Sequence, residues 1–325
     1  AVIGLLGALE LVGAGAAWAS PLVLGGLVLA LVAGAAFVPI ERRATDPLIP
    51  LSLFRNRTVA VSTAVQFFVG ITMFTVSLYV PLFVQGVRGA SASSSGTVMM
   101  PMMITMTSMG IVVGQLIARV GRLKPFLLAG TGLASLGMLL LTLLGAGSGL
   151  LQIAGTVFVI GLGMGMVMPV TTLAVQAAVD QRMLGVATSA TNFIRSIGAT
   201  MGTALVGTLV TSAYRAGLAA NAPASAPEAA VRALASPNAL TSAEALAKLA
   251  ALTGGSPEAL LETARAALAG AIHSGFLVML GTGLVAFACA TLLPNHTFGQ
   301  EVAAPGEVGP EQPTAPHAPR LTGPH

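Results

Sequence analysis

The side chains able to do chemistry are sparse, and most lie inside long apolar runs. Arg195 and Asn192 sit one turn apart in GVATSATNFIRSIGATMGTALVGTLV, on the same face of any helix built there. A guanidinium and a carboxamide so placed supply hydrogen-bond donors and a positive charge within apolar surroundings. Two uses stay open. The arginine is either a charge in a cavity or between helices, or a long side chain whose head snorkels to the nearer interface. Gln66 is a lone amide in another apolar run and needs a partner or water. Met99, Met102, Met103, Met106 and Met109 fall within an arc of about 120° on a helix, and Met164 and Met168 are one turn apart. A thioether surface suits adaptable binding of apolar ligands; it equally suits helix packing or lipid contact. GQLIARVGRLK places Gly114, Arg119, Gly121, Arg122 and Lys124 in a tight connection between two apolar runs.

Other chemistries are missing. No Asp or Glu falls inside a complete apolar run; Asp180 is at an end, and Glu10 in the short first run reads as interfacial rather than as a proton carrier. The single cysteine, Cys289, leaves no intrachain disulfide, and His273, His296, His317 and His325 lack ligand spacing. Neither HExxH nor GxSxG occurs, so no enzyme, metal or cofactor is expected. GLGMGM (Gly161 to Met166) has no strand before it and reads as close-packing glycine rather than a phosphate cradle. Gly161/Gly165, Gly110/Gly114 and Gly198/Gly202 are small-xxx-small steps that let helices approach in lipid. Pro101 and Pro169 are placed to kink their helices.

The elements that position these residues follow from composition. The 325-residue chain carries only 8% charged residues, against about 25% in soluble domains, so it cannot build a water-soluble surface. Runs of roughly 20 apolar residues suffice to cross a bilayer. The runs are continuous rather than alternating, which argues against a transmembrane barrel. Complete spans read at about 21–40, 58–86, 93–118, 125–146, 149–178, 186–213 and 269–292, after a partial span at 1–13 and an interfacial Trp18. The first run is too short to span, and the first methionine is Met73, so a fragment of a longer chain is expected. The class is an all-α polytopic membrane protein.

Cations set the orientation. With the 119–124 connection in the cytoplasm, segments 41–57 and 179–185 are cytoplasmic too. Together these three hold Arg42, Arg43, Arg55, Arg57, Arg119, Arg122, Lys124 and Arg182; the short outer loops hold only Arg88. This pattern accounts for the net charge of +4 without nucleic acid, and it puts the C-terminus in the cytoplasm. NRT and NHT then fall on cytoplasmic segments and are discounted as glycosylation sites. The Ala- and Pro-rich loop 214–268 lies outside. Short amphipathic helices are expected there: Thr241 with Glu244 forms a capping box, and Ser256-Pro257-Glu258 starts a helix that runs into the last span. The tail 294–325 has a disordered composition.

GQLIARVGRLKP resembles the helix–loop–helix signature of the major facilitator superfamily in its C-terminal repeat. ERRATDPLIPLSLFRNR (Glu41 to Arg57), YVPLFVQGVRGASASSSG and GVATSATNFIRSIGATMGTALVGTLV are similar to the 14-helix drug:proton antiporter branch, over about residues 1–293. The resemblance implies a C-terminal six-helix bundle of a major facilitator transporter (58–293), with about one and a half preceding helices and a linker (1–57). The N-terminal helix bundle is missing. It implies a cytoplasmic gating loop at Gly114, Arg119, Gly121, Arg122 and Lys124, and a substrate cavity at Gln66, Met73, Met102, Met106, Met164, Met168, Asn192 and Arg195. It further implies export of a hydrophobic or cationic small molecule by alternating access across the plasma (inner) membrane, with the proton as coupling ion. The alternative is a non-transporting membrane module or scaffold that associates with another helix bundle.

Overall fold

The computed structural model describes residues 20–43, 51–223, 226–253 and 257–294, with positions 4, 7, 8 and 11 ahead of them. Glu10, Trp18, Ser256 and the tail beyond Pro294 lie outside the described residues. Among those described, the chain is helical and has no β-strand. The helices are α1 (Pro21–Arg43), α2 (Arg57–Leu82), α3 (Ala92–Val120), α4 (Lys124–Thr142), α5 (Leu150–Ala177), α6 (Leu184–Asn221), α7 (Glu228–Ala233), α8 (Ala243–Leu252) and α9 (Glu258–Thr291). Six of them, α2 to α6 and α9, are long and apolar enough to cross a membrane; the apolar stretch described for α1 is Pro21–Ala36. Ala8 of the first run packs against Val23 of α1.

Local chemistry sets the ends. Asn56 caps α2 by accepting from the Thr58 N–H at 2.9 Å. Ser91 caps α3 by accepting from Ser94 N–H at 3.2 Å. Gly121 ends α3 with φ +67°, a left-handed conformation natural to glycine, and its N–H donates to the Ile117 carbonyl at 2.8 Å. Pro125 then stands in the first turn of α4, where its missing N–H costs nothing.

The bundle closes through three main seams, α3 on α5, α2 on α6 and α4 on α5, while α9 packs across α2, α4 and α6. Glycines let the backbones meet. A Cβ at Gly161 would overlap the Met102 carbonyl of α3, and one at Gly198 would overlap the Phe67 carbonyl of α2. Gly163, on the other side of α5, meets Ala134 and Gly130 of α4 in the same way. The expected steps Gly161/Gly165 and Gly198/Gly202 therefore form real crossings. Gly110/Gly114 does not: a Cβ at Gly110 comes no nearer than 3.6 Å to Gly165, and Gly114 faces open space.

The segment between the last two spans forms short helices, the last running into the final span, and packs them into a cap. Helix α6 has 38 residues and α9 has 34, so at about 1.5 Å per residue both exceed a hydrocarbon core of roughly 30 Å. Their projecting ends carry α7, a 3-10 turn at Pro237–Thr241 and α8. Leu234, Leu240, Leu249, Leu260 and Leu268 are buried together and continue the core of the bundle. Tyr214 Oη donates to the Leu234 carbonyl at 2.8 Å, and Arg215 Nε to the Ala235 carbonyl at 3.1 Å. The Thr241–Glu244 capping box does not form. Thr241 closes the preceding 3-10 turn, donating to Asn238 O, and Ser242 caps α8 instead. The helix therefore starts one residue later than the pattern suggested.

Candidate functional site

Two ends and one side of this bundle carry its polar chemistry. The basic end is built by the α3–α4 connection, the start of α2 and the α5–α6 turn. Arg119 and Arg122 are exposed there, and Lys124 is half-buried at the first position of α4. Gly121 supplies the turn; Gly114 lies inside α3, within its helical span. Asn56 also ties the linker to the α5–α6 turn, donating from Nδ2 to the Ala178 carbonyl at 3.0 Å. A cavity of about 390 Å³ opens beside it, lined by Ser52, Leu53, Asn56, Asp180 and Met183 among others.

The eight cavity candidates divide by position. Gln66, Met102 and Met164 are buried inside the bundle, with 1%, 4% and 1% of their surface exposed. Gln66 Nε2 donates to Thr171 Oγ1 of α5 at 2.7 Å, while its Oε1 has no partner. Met164 borders a void of about 10 Å³, room for little more than a water molecule. Met73, Met106 and Met168 are half-buried. The methionine arc of α3 thus turns largely inward: Met99 and Met102 are buried, and Met106 and Met109 pack against the core, the α3 backbone lying over the bare Gly161 and Gly165 of α5. Only Met103 of the five is exposed, beside Met100 and Ile104.

Asn192 and Arg195 are placed differently. Asn192 is exposed, and so are Ser189, Ser196 and Thr200 of α6. With the half-buried Thr203, these positions fall within about 80° of arc at 100° per residue, forming a polar stripe. The hydroxyls of Ser196, Thr200 and Thr203 donate back to carbonyls one turn earlier, at 2.8–3.0 Å. The spacing of Ser189, Asn192, Ser196 and Thr200 inside an apolar run was the signal, and single-residue reading passed over it. Arg195 stands on the flank of the stripe, where α6 meets α2, and its backbone carbonyl faces the bare Cα of Gly70. Its Nη2 donates to Asn192 Oδ1 at 3.3 Å, and its Nε is buried without an acceptor. Among the described residues, the ion pair formed is Arg232–Glu228 on the projecting cap; Arg195 has none.

Such a bundle, apolar on most of its outer surface and with a polar stripe on α6, defines a polytopic membrane protein. Residues 1–203 match the family model described as the Major Facilitator Superfamily. The chain belongs to that superfamily. It is 42% identical over 209 residues to the multidrug transporter protein MdtP of Bacillus subtilis, covering 64% of this chain and 38% of that protein. It is 33% identical over 190 residues to a tetracycline resistance determinant of Streptomyces rimosus, covering 58% of this chain and 55% of that one. A crystal structure of a bacterial homologue of the human lysosomal transporter Spinster, inward-facing and occupied, shares the fold. Its TM-score is 0.53 at 16% identity, over 90% of this chain and 66% of that one. The matched segment thus spans 38% and 55% of these two curated relatives' length. Membership of a transporter family sets aside the enzyme reading.

Proposed function

We propose that this chain forms the C-terminal bundle of an exporter of amphipathic small molecules, working by alternating access against a second helix bundle. Its multidrug and tetracycline-resistance relatives support the substrate class. The observation that carries the reading is the polar stripe of α6 with Arg195 beside it: exposed polar side chains within a span belong against water or a polar counterpart rather than hydrocarbon. Alternating access between bundles provides such a water-filled space near the midplane. Gln66, Met102 and Met164 are buried inside the bundle and Met73, Met106 and Met168 are half-buried, while Asn192 lies on the stripe and Arg195 on its flank.

The exporter resides in the plasma membrane, with the basic end and the C-terminus in the cytoplasm, as the positive-inside rule favours. Arg119, Gly121, Arg122 and Lys124 form its gating turn. The coupling ion is the proton, and its carboxylates lie outside this bundle, because the described membrane portions of the six spans carry no Asp or Glu.

The test is efflux from cells expressing the full reading frame that encodes this chain. Preloaded Nile red is expected to leave faster than from vector-bearing cells, and a protonophore is expected to abolish the difference. Equal rates would remove the export reading; a difference that survives the protonophore would remove proton coupling.

A further inference from the structure

The guanidinium of Arg195 is the charged feature of the polar wall, and its hydrogen bonding is left incomplete. It carries five N–H donors. A single side-chain hydrogen bond is formed, to Asn192 Oδ1 at a long 3.3 Å, and Nε has no acceptor. Arg195 lies about 16 Å along α6 from Leu184, near the middle of a hydrocarbon core roughly 30 Å thick. An arginine does not shed its charge. At that depth an unpaired cation is costly, and charged groups there pair with one another or face water. Gly70 seats the Arg195 backbone against α2, so the side chain cannot withdraw by moving its helix. Asn192 is exposed, and its Nδ2 donates to no described residue, which leaves a second donor beside the first.

From this geometry we infer that Arg195 and Asn192 form a receptor for a carboxylate. Two oxygens in one plane match a guanidinium edge, and charge-assisted hydrogen bonds of this kind are roughly twice as strong as neutral ones. A cationic head group would meet like charge at the same point. The carboxylate belongs either to an amphipathic substrate or to a membrane acid elsewhere in the full protein. The substrate source rests on the export reading above and narrows its substrate class; the internal source does not.

The full-length protein in lipid nanodiscs separates the two. The probe is 11-(dansylamino)undecanoate, compared with its methyl ester, with binding read by dansyl fluorescence. For a substrate site, the acid is expected to bind at least about tenfold more tightly than the ester, as loss of a charged hydrogen bond implies. Arg195→Gln brings the ratio to about one, Arg195→Lys retains part of it, and Asn192→Ala, a surface change that spares folding, lowers it severalfold. For an internal partner, the parent shows no preference for the acid. Arg195→Gln then lowers the melting temperature, and neutralising one membrane Asp or Glu makes the two changes non-additive. The same acid-to-ester ratio in the parent and Arg195→Gln proteins, with additive effects against every membrane acid, would overturn the assignment. Neither readout depends on transport, so a failed efflux assay leaves this test standing.

Discussion

The glycine seams make a quantitative claim about α5. A Cβ on Gly165 would stand 2.5 Å from the Met106 carbonyl oxygen, 2.9 Å from Met106 Cα and 3.0 Å from Met109 Cβ. Ordinary contact begins near 3.4 Å, so Gly165→Ala is short of room by roughly 0.9 Å. The nearest atoms are backbone, and no rotamer change relieves them; α3 has to retreat as a body. Gaps of 0.5–1 Å forfeit about a quarter to a half of each lost contact, and overpacking of this kind costs about 1–3 kcal/mol. Alanine also returns about 0.5–1 kcal/mol of helix propensity, so a control is needed. Gly155→Ala, on the same helix, gains that propensity and has nothing within 4 Å. The difference between the two variants isolates the seam. Thermal unfolding in detergent can be followed with a fluorogenic thiol dye, since Cys289 is the only cysteine and is half-buried in α9. At about 2–4 °C per kcal/mol, Gly165→Ala should melt several degrees below Gly155→Ala. Equal melting temperatures would refute the claim that this crossing depends on the missing side chain.

Further expectations concern the interior, the cap and the orientation. Thr171→Val removes the partner of Gln66 Nε2 and leaves a buried amide without any; a cost of about 1–2 kcal/mol is expected, and adding Gln66→Leu should recover much of it. Strict additivity in that cycle would show that the pair is not coupled. Tyr214→Phe loses the hydrogen bond to the Leu234 carbonyl; hydrogen exchange over residues 228–241 should quicken about fivefold, equivalent to about 1 kcal/mol, with the membrane helices unaffected. In a Cys289→Ser background, a cysteine at Arg122 should resist an impermeant maleimide added to intact cells while one at Glu244 reacts. The opposite pattern would invert the proposed orientation.

What the sequence made legible was whatever depends on one helix at a time. Apolar runs located the spans, and Gly121 marked the end of α3 because a left-handed C-cap selects glycine. Gly161/Gly165 and Gly110/Gly114 look alike as patterns, yet only the first is needed for a close backbone approach at both positions, because spacing defines a face and not what the face touches. The methionine arc of α3 shows the same limit: the face was readable, and which of its open uses applied, here packing against the core, was not. Gln66 and Thr171 pair across 105 positions, which no local pattern encodes. The cap was hidden because its core leucines, Leu234, Leu240, Leu249, Leu260 and Leu268, are scattered among alanines over several short elements.

Exposure has two meanings on this surface, and the difference locates the working side. On α3 the exposed side chains include Met100, Met103, Ile104 and Ile111, and on α1 they include Leu22, Val28, Leu29 and Leu31. The α1 face loses nothing in hydrocarbon, and on α3 the exposed Thr97 and Ser108 hydroxyls donate to carbonyls of their own helix. On α6 the exposed side chains within the span include the apolar Phe193, Leu205 and Leu209 and, along one stripe, Ser189, Asn192, Ser196 and Thr200, with Arg195 on the flank. The Ser196 and Thr200 hydroxyls are satisfied by their own helix, so they alone do not demand water. Arg195 and the Asn192 amide do, because their donors exceed the acceptors that the bundle offers. Interior polar groups such as Thr63 and Thr191, 3.4 Å apart, find each other across the α2–α6 seam and hold it. A polar group whose partner is missing from its own bundle points to something outside it. Gln66 Oε1 and Ser62 Oγ also lack partners but lie buried inside the bundle, whereas Arg195 stands at its surface beside the α2–α6 crossing, and this supports the proposal that the working surface includes α6.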